Sequence, residues 1–287
     1  IQRGTVESED YTLVGLDYDF DGLRNIGKVR GNVVMTYKNE NLIIYGQASD
    51  YKKDQGITKI YNNAYVAKVT QNSDTLFLSA DTLVSIDNED ESKKRILAYN
   101  NVKIFKGDLQ GRADSLEYRP ADSTIYFYKD PVLWSEGNQM SSDSLRMLIA
   151  NNTISKVFLV NKAFVISRDS LMNFNQIKGR RMTADLNDGQ ISRVYVMGNG
   201  ETLYFALDEE DQSFMGMNRI LCSNLTIRFK DGRVNNLSFY VQPDGRFTPP
   251  HELNEEDTRL KDFTWREDEK PRRDDVVKPQ LGLKGRK

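Results

Sequence analysis

Apolar and polar residues alternate with a period of two through most of the chain. In the stretch 101–134, Val102 and Ile104 fall on one face and Lys103 on the other; Leu116 and Tyr118 oppose Ser115 and Glu117. Side chains alternate faces along a strand, so such a segment buries one face and wets the other. The runs Asn101–Phe105, Leu109–Tyr118, Ser123–Tyr128 and Val132–Trp134 are separated by Lys106-Gly107-Asp108, Arg119-Pro120-Ala121-Asp122 and Lys129-Asp130-Pro131. Short β-rich runs bounded by Gly, Pro, Asp and Asn predict strands joined by tight turns.

The pattern repeats. Ala113-Asp114-Ser115-Leu116 has relatives in Ala48-Ser49-Asp50-Tyr51, Ala80-Asp81-Thr82-Leu83 and Ser142-Asp143-Ser144-Leu145, with looser copies at Thr183-Ala184-Asp185-Leu186 and Ser223-Asn224-Leu225. Two companion strands travel with it. One is represented by Arg95–Tyr99, Ile125–Tyr128, Ile154–Leu159, Ile191–Val196 and Val234–Phe239; the other, after a small polar turn, by Asn63–Val66, Asn101–Ile104, Pro131–Trp134, Asn161–Ile166 and Gly200–Phe205. A unit of about three strands, repeated five or six times, predicts a solenoid-like stack in which each unit buries its apolar face against its neighbours. Asp188-Gly189, Asp231-Gly232 and Asp244-Gly245 are hairpin-turn signals. Leu171–Met182 lacks the alternation and reads as a loop or short helix.

Three segments follow: an N-terminal edge segment over 1–28, the β-repeat domain over 29–248, and a charged, Pro-containing tail over 249–287. The tail's density of charge predicts a mobile segment. Its apolar knot, Leu260–Trp265, either packs an aromatic onto the sheet or docks a partner.

Composition narrows the function. The 287 residues carry a net charge of −2, which argues against a nucleic-acid binder. No apolar run approaches the ~20 residues of a membrane-spanning helix. The first residue is Ile1, so a processed chain whose export signal has been lost is expected. Asp17, Asp19, Asp21 and Gly22 imitate the start of a calcium loop, but Lys28 stands where the twelfth-position Glu belongs. His251 sits in the tail, and Cys222 lies in a strand-like run as a small buried residue. Glu89/Asp90/Glu91 and Glu209/Glu210/Asp211 read as solvated loops, and nothing selects a catalytic pair from them. No metal or phosphate motif is present, so no cofactor is expected.

Gly31-Asn32-Val33, Asn101-Val102-Lys103-Ile104 and the run Gly107–Tyr118 together resemble the OstA-like family: the periplasmic bridge proteins of lipopolysaccharide transport and the related amino-terminal domain of the outer-membrane translocon. The resemblance covers roughly residues 29–247. Gly198-Asn199-Gly200 and Leu260–Trp265 are similar to the carboxy-terminal part of the larger Bacteroidetes-type members. Units after residue 150 are more widely spaced than the family's, and the tail lies outside its compact domain.

The resemblance implies an all-β, elongated β-jellyroll of repeated antiparallel strands, with two facing sheets forming a V-shaped channel that shields lipid A acyl chains. Each methylene removed from water contributes about 0.8 kcal/mol. It further implies a non-enzymatic periplasmic carrier whose partners are lipopolysaccharide, other transport proteins joined by edge-strand addition, and further copies of itself head to tail. The expected lining is Val102, Ile104, Leu116, Tyr118, Ile125, Phe127, Val132, Trp134, Leu145, Met147, Phe158, Phe164 and Ile166. A closed sandwich core would use the same side chains. The motif aspartates are read as turn-capping residues rather than headgroup or metal ligands. Two rival functions are a β-repeat scaffold for envelope proteins and a carbohydrate-active enzyme.

Overall fold

The alternating runs become antiparallel strands, and pairs of runs that the sequence separates fuse into single long ones. The computed structural model describes residues 4–39, 41–69, 74–151, 153–187, 190–208, 210–230 and 233–279. Asp188-Gly189, Glu209 and Asp231-Gly232 lie outside them. The chain divides into two compact units. The first, Ile1–Lys129 with Ala150–Thr153 and Pro271–Lys287, holds β1 (Gly4–Glu7), β2 (Tyr11–Gly15), β3 (Asp17–Asp21), β4 (Ile26–Tyr37), β5 (Leu42–Lys52), β6 (Ile57–Val69), β7 (Thr75–Ile86), β8 (Arg95–Lys106), β9 (Leu109–Arg119) and β10 (Thr124–Tyr128). The second, Asp130–Ile149 and Ile154–Lys270, holds β11 (Val132–Ser135), β12 (Asn138–Ser141), β13 (Ser144–Ala150), β14 (Thr153–Arg168), β15 (Phe174–Asn187), β16 (Gln190–Leu207), β17 (Phe214–Lys230), β18 (Arg233–Tyr240) and β19 (Asp244–Thr248).

The small polar "turns" between companion runs are corners inside strands. Arg95–Tyr99 and Val102–Lys106 are both β8, bent at Asn100-Asn101, whose φ values are 61° and 52°. The same left-handed pair recurs at Gly31-Asn32, Asn62-Asn63, Lys129-Asp130, Asn161-Lys162, Gly198-Asn199 and Val241-Gln242. Asparagine and glycine tolerate this conformation best, which explains their recurrence there. The pairs inside strands are β-bulges against the adjacent strand, while Lys129-Asp130 lies between β10 and β11 and Val241-Gln242 between β18 and β19. Tyr99 pairs Ser115 and Val102 pairs Ala113, so Asn100 and Asn101 face Asp114 alone.

The motif aspartates are the residues opposite these pairs. Asp81 accepts from Asn101 Nδ2 at 2.9 Å, Asp114 meets Lys129 Nζ at 3.1 Å, and Asp143 meets Lys162 Nζ at 3.2 Å. Asp50 and Asp185 are not corner residues. In their strands the corner is Gly46-Gln47 and Gly179-Arg180. Glycine is required there by close approach: a Cβ on Gly46 would lie 2.4 Å from Ile60 Cγ2, and one on Gly179 would lie 2.3 Å from Val196 Cγ1.

A corner in every long strand folds its two ends over each other, and because neighbours run antiparallel, the end before the corner in one strand pairs with the end after it in the next. In the first unit the two half-sheets face each other. Tyr11 and Thr58 hydroxyls meet at 3.1 Å, Tyr37 and Ser85 hydroxyls at 2.5 Å, and Lys68 lies 5.1 Å above the Tyr118 ring, each contact joining one half-sheet to the other. Burial pushes the Tyr11 phenol well above its ordinary pKa. Leu13, Val33, Met35, Ile44, Ile60, Leu83, Ile104 and Phe127 fill the space between. Asp17–Asp21 forms no loop: it is β3, with Asp17 across from Arg30 and Asp19 across from Lys28.

On the outer surface Glu117 is clasped by Arg119 Nε at 2.8 Å, Tyr128 hydroxyl at 3.0 Å and Arg95 Nη1 at 3.1 Å. Arg119 above all holds its carboxyl below the usual range. A depressed folded pKa contributes stability that is present above the unfolded value of about 4.3 and lost as pH falls through the folded value. Glu117→Gln is therefore expected to destabilise the first unit by about 1–2 kcal/mol at neutral pH. The penalty should shrink toward zero near pH 3, as read by urea unfolding at the two pH values.

Leu171–Met182, expected as loop or short helix, is mostly strand. β15 starts at Phe174, and only 169–173 turn, capped by Asp169, which accepts from the N–H groups of Leu171 and Asn173. The alternation is hidden because two of its three buried positions, Gln176 and Gly179, are not large apolar residues.

The tail packs onto the strands instead of standing free. In the second unit Leu260 is 2% exposed and packs with Phe164, Ile166, Leu203, Phe205 and Met217, while Phe263 and Trp265 flank the Phe174 ring at 5.3 and 5.1 Å. Two buried glutamines pin it. Gln176 Nε2 donates to Thr258 O at 2.8 Å and its Oε1 accepts from Leu260 N at 2.8 Å; Gln139 does the same with Thr264 O at 2.7 Å and Arg266 N at 2.6 Å. Each side-chain amide takes the place of a neighbouring strand's peptide group. Arg266 then forms a two-pronged pair with Asp130 at 2.8 Å. In the first unit a short helix, α1 (Arg273–Val276), buries Val276 and sets Arg273 5.3 Å over the Phe77 ring.

Candidate functional site

The second unit encloses a cavity of about 370 Å³, within the range of small-molecule sites. It is built from both halves of the bent strands. One half-sheet, made of the ends before the corner in β14 and β16 and after it in β15 and β17, contributes Leu159, Met182, Ala184, Ile191, Val194, Ile227 and Phe229, and β18 adds Leu237 and Phe239. The other half-sheet contributes two rows of residues that pair directly across the strands. One row is Met140–Val165–Ile177–Thr202–Ile220. The next, two residues along each strand, runs through Asn138, Ser167 and Asn175 and on through Tyr204 and Asn218. Residues two apart share a face, so both rows line the cavity. Tyr204 is 48% exposed, so the cavity reaches the surface on this side.

The tail makes this arrangement possible. The alternate residues of the same half-sheet, Phe164, Ile166, Leu203, Phe205 and Met217, are covered by Leu260 and its aromatic neighbours. The half-sheet thus has one face sealed by the tail and the other given to the cavity.

The residues expected to line a channel are distributed differently. Val102, Ile104, Leu116, Ile125 and Phe127 are buried in the first unit's core, with Tyr118 half-buried beneath Lys68. Val132, Trp134, Leu145, Met147, Phe164 and Ile166 are buried in the second unit. Phe158 lies on the opposite face from Val157 and Leu159, with the Arg146 guanidinium 4.3 Å over its ring. None of the thirteen lines the cavity. The residues that do were visible as companion strands, in Ile191–Val196, Gly200–Phe205 and Val234–Phe239. The inward face shifts by one residue at the corner in some strands, as from Ile177 to Met182 in β15 and from Ile220 to Ile227 in β17, and is kept in others, as from Val194 to Thr202 in β16, and alternation alone does not carry that difference.

Other chemistry-bearing residues are accounted for by local structure. Asp90 caps a short turn by accepting from Ser92 N and Oγ, and Asp208 accepts from the N–H groups of Glu210 and Asp211. His251 is largely exposed, 3.7 Å from Glu252. Burial raises the Cys222 thiol pKa. A polar pocket of about 220 Å³ in the first unit holds Lys94, bonded to Asp10 at 2.8 Å and Glu91 at 2.8 Å. Lys94 lowers the Asp10 carboxyl, whereas burial and the neighbouring Asp10 raise Asp87. Among the described residues no three His, Cys, Asp or Glu side chains gather as a metal site. No described helix is long and apolar enough to cross a membrane.

Comparison with known proteins adds the following. Residues 67–153 match the family described as "LptA/(LptD N-terminal domain) LPS transport protein". Among solved structures, the chain is similar to LptH, the LptA-homologous periplasmic component of the lipopolysaccharide transport device from Pseudomonas aeruginosa. That match has 14% identity over 38% of this chain and 75% of that one, with a TM-score of 0.33. No curated protein matches.

Proposed function

We propose, for a chain whose residues 67–153 match the LptA/LptD N-terminal domain family of lipopolysaccharide transport, that it is a periplasmic lipid carrier or bridge component that shields acyl chains from water. The observation that carries this reading is the cavity of the second unit: about 370 Å³, apolar through Leu159, Ile177, Val194, Ile220 and Ile227, and reaching the surface beside Tyr204. Acyl chains need no specific polar contact to be held. At about 0.8 kcal/mol per buried methylene, a chain of several carbons repays the loss of its freedom. The cavity has the size of one chain segment, so a lipid with many chains would be passed along or held in part. The first unit, with its filled core, then serves as the connecting scaffold of the bridge, and no catalytic role is assigned to either unit.

Photoreactive residues placed singly at Ile177, Tyr204 and Ile220 test this in cells that make lipopolysaccharide. Lipopolysaccharide adducts are expected from these positions and not from Phe127, which is fully buried in the first unit. Adducts at none of the three cavity positions, in protein that melts normally, would sink the carrier reading.

A further inference from the structure

The cavity has a polar end with an unusual chemistry. One row of its wall runs Asn138–Ser167–Asn175 across three strands, then through Tyr204 and Asn218 on the next two. These five residues sit side by side at the end of the apolar wall made by Val165, Ile177 and Ile220. None of the described residues lining the cavity is charged. Part of the row is occupied internally: Asn138 Nδ2 donates to Ser135 O and Glu136 O, and Asn175 Oδ1 accepts from Phe205 N at 2.8 Å. The Ser167 hydroxyl, the Tyr204 hydroxyl and the Asn218 carboxamide make no hydrogen bond to another described residue.

We infer that this row reads the polar end of the bound chain, and that it selects an uncharged linkage such as an ester, amide or hydroxyl over a free carboxylate. The inference rests on the cavity being the lipid site. Its logic is electrostatic. Hydroxyls and carboxamides both donate and accept, so they can match an ester carbonyl, an amide or a hydroxyl without residual charge. A carboxylate drawn into the same place loses its hydration and finds no Lys or Arg among the described lining residues to replace it, which is the costly case for a buried charge. An acyl chain carried as part of a larger lipid arrives through such a neutral linkage, whereas a free fatty acid does not.

The test is calorimetric titration of the full chain at neutral pH. The ligands are a medium-chain monoacylglycerol and the free fatty acid of the same length, each below its critical micelle concentration. The monoacylglycerol is expected to bind about tenfold more tightly. Asn218→Leu should reduce that preference to about threefold or less by weakening the monoacylglycerol while leaving the fatty acid nearly unchanged. Ser167→Ala, a smaller change on a paired strand, should act in the same direction and serves if Asn218→Leu does not fold. Equal binding of the two lipids, or a preference for the fatty acid, overturns the assignment of the polar row and leaves the cavity as a lipid site. Binding of neither lipid overturns both.

Discussion

Replacing Gln176 by leucine is expected to destabilise the second unit by about 3 kcal/mol and to expose the segment 253–270 to proteases. Gln176 is wholly buried, and its amide donates to Thr258 O and Phe174 O and accepts from Leu260 N. Leucine has nearly the right volume, so the loss is not one of packing. It lies in the partners left behind: a Leu260 N–H and a Thr258 carbonyl remain buried with no side-chain amide to meet them, at about 1–3 kcal/mol for each unmet group. The apolar contact that follows is at risk as well, because Leu260 keeps Phe164, Ile166, Leu203 and Phe205 from water. In a melt, the second unit's transition should fall by roughly 6–12 °C. Limited proteolysis should cut near residues 253–270 sooner than in the parent. An unchanged melting point would mean that the tail is held by its aromatic contacts alone, and the glutamine clamp would be incidental.

The largest functional effect is expected from Ala184→Phe. Ala184 is 3% exposed on β15, and its methyl group faces the cavity between Met182 and Val194. A phenyl ring there fills space that an acyl chain would occupy, without touching the corners, the tail or the first unit. Lipid affinity should fall at least about tenfold, that is ~1.4 kcal/mol, and crosslinks from Ile177 and Tyr204 should fade with it. Stability should change little, by about 1–2 kcal/mol at most in either direction, because the ring fills a void rather than an already packed core. If the site were a closed sandwich core, the same substitution would overpack it, lowering the melting point sharply with no lipid binding to lose. The two outcomes separate a carrier from a β-repeat scaffold.

Much of this protein can be read from its residues in order. Period-two alternation and the absence of helical periods are local facts, and they determine an all-β chain of antiparallel strands. The Gly-Asn and Asn-Asn pairs are also local: only residues that tolerate a left-handed backbone can hold Gly31-Asn32, Asn62-Asn63 or Asn100-Asn101 in their conformation. The recurring aspartates at 81, 114 and 143 are legible for the same reason, since each supplies the polar group opposite such a pair. What these features did in three dimensions was not legible. A polar pair between two apolar runs looks like a turn that ends a strand, and only the hydrogen-bond ladder on both sides shows that it bends one strand through two sheets.

The candidate site depended on tertiary structure even more. Phe158, which alternation alone would place with the inward aromatics, lies on the outer face because Val157 and Leu159 take the inner one. The tail looked like a mobile segment because its charge density is high. It is held by two buried glutamines 37 positions apart in sequence, Gln139 and Gln176, whose role depends on a partner more than 80 residues away in each case. By itself the sequence determined which residues are apolar, which positions turn and which strands follow one another, because those are properties of neighbours along the chain. Only the tertiary structure decided which apolar faces meet, which of them stay apart around a cavity, and what seals the other side. Those outcomes depend on contacts between residues far apart in sequence, and on corners that shift the inward face in some strands, as from Ile177 to Met182, and keep it in others, as from Ala98 to Val102.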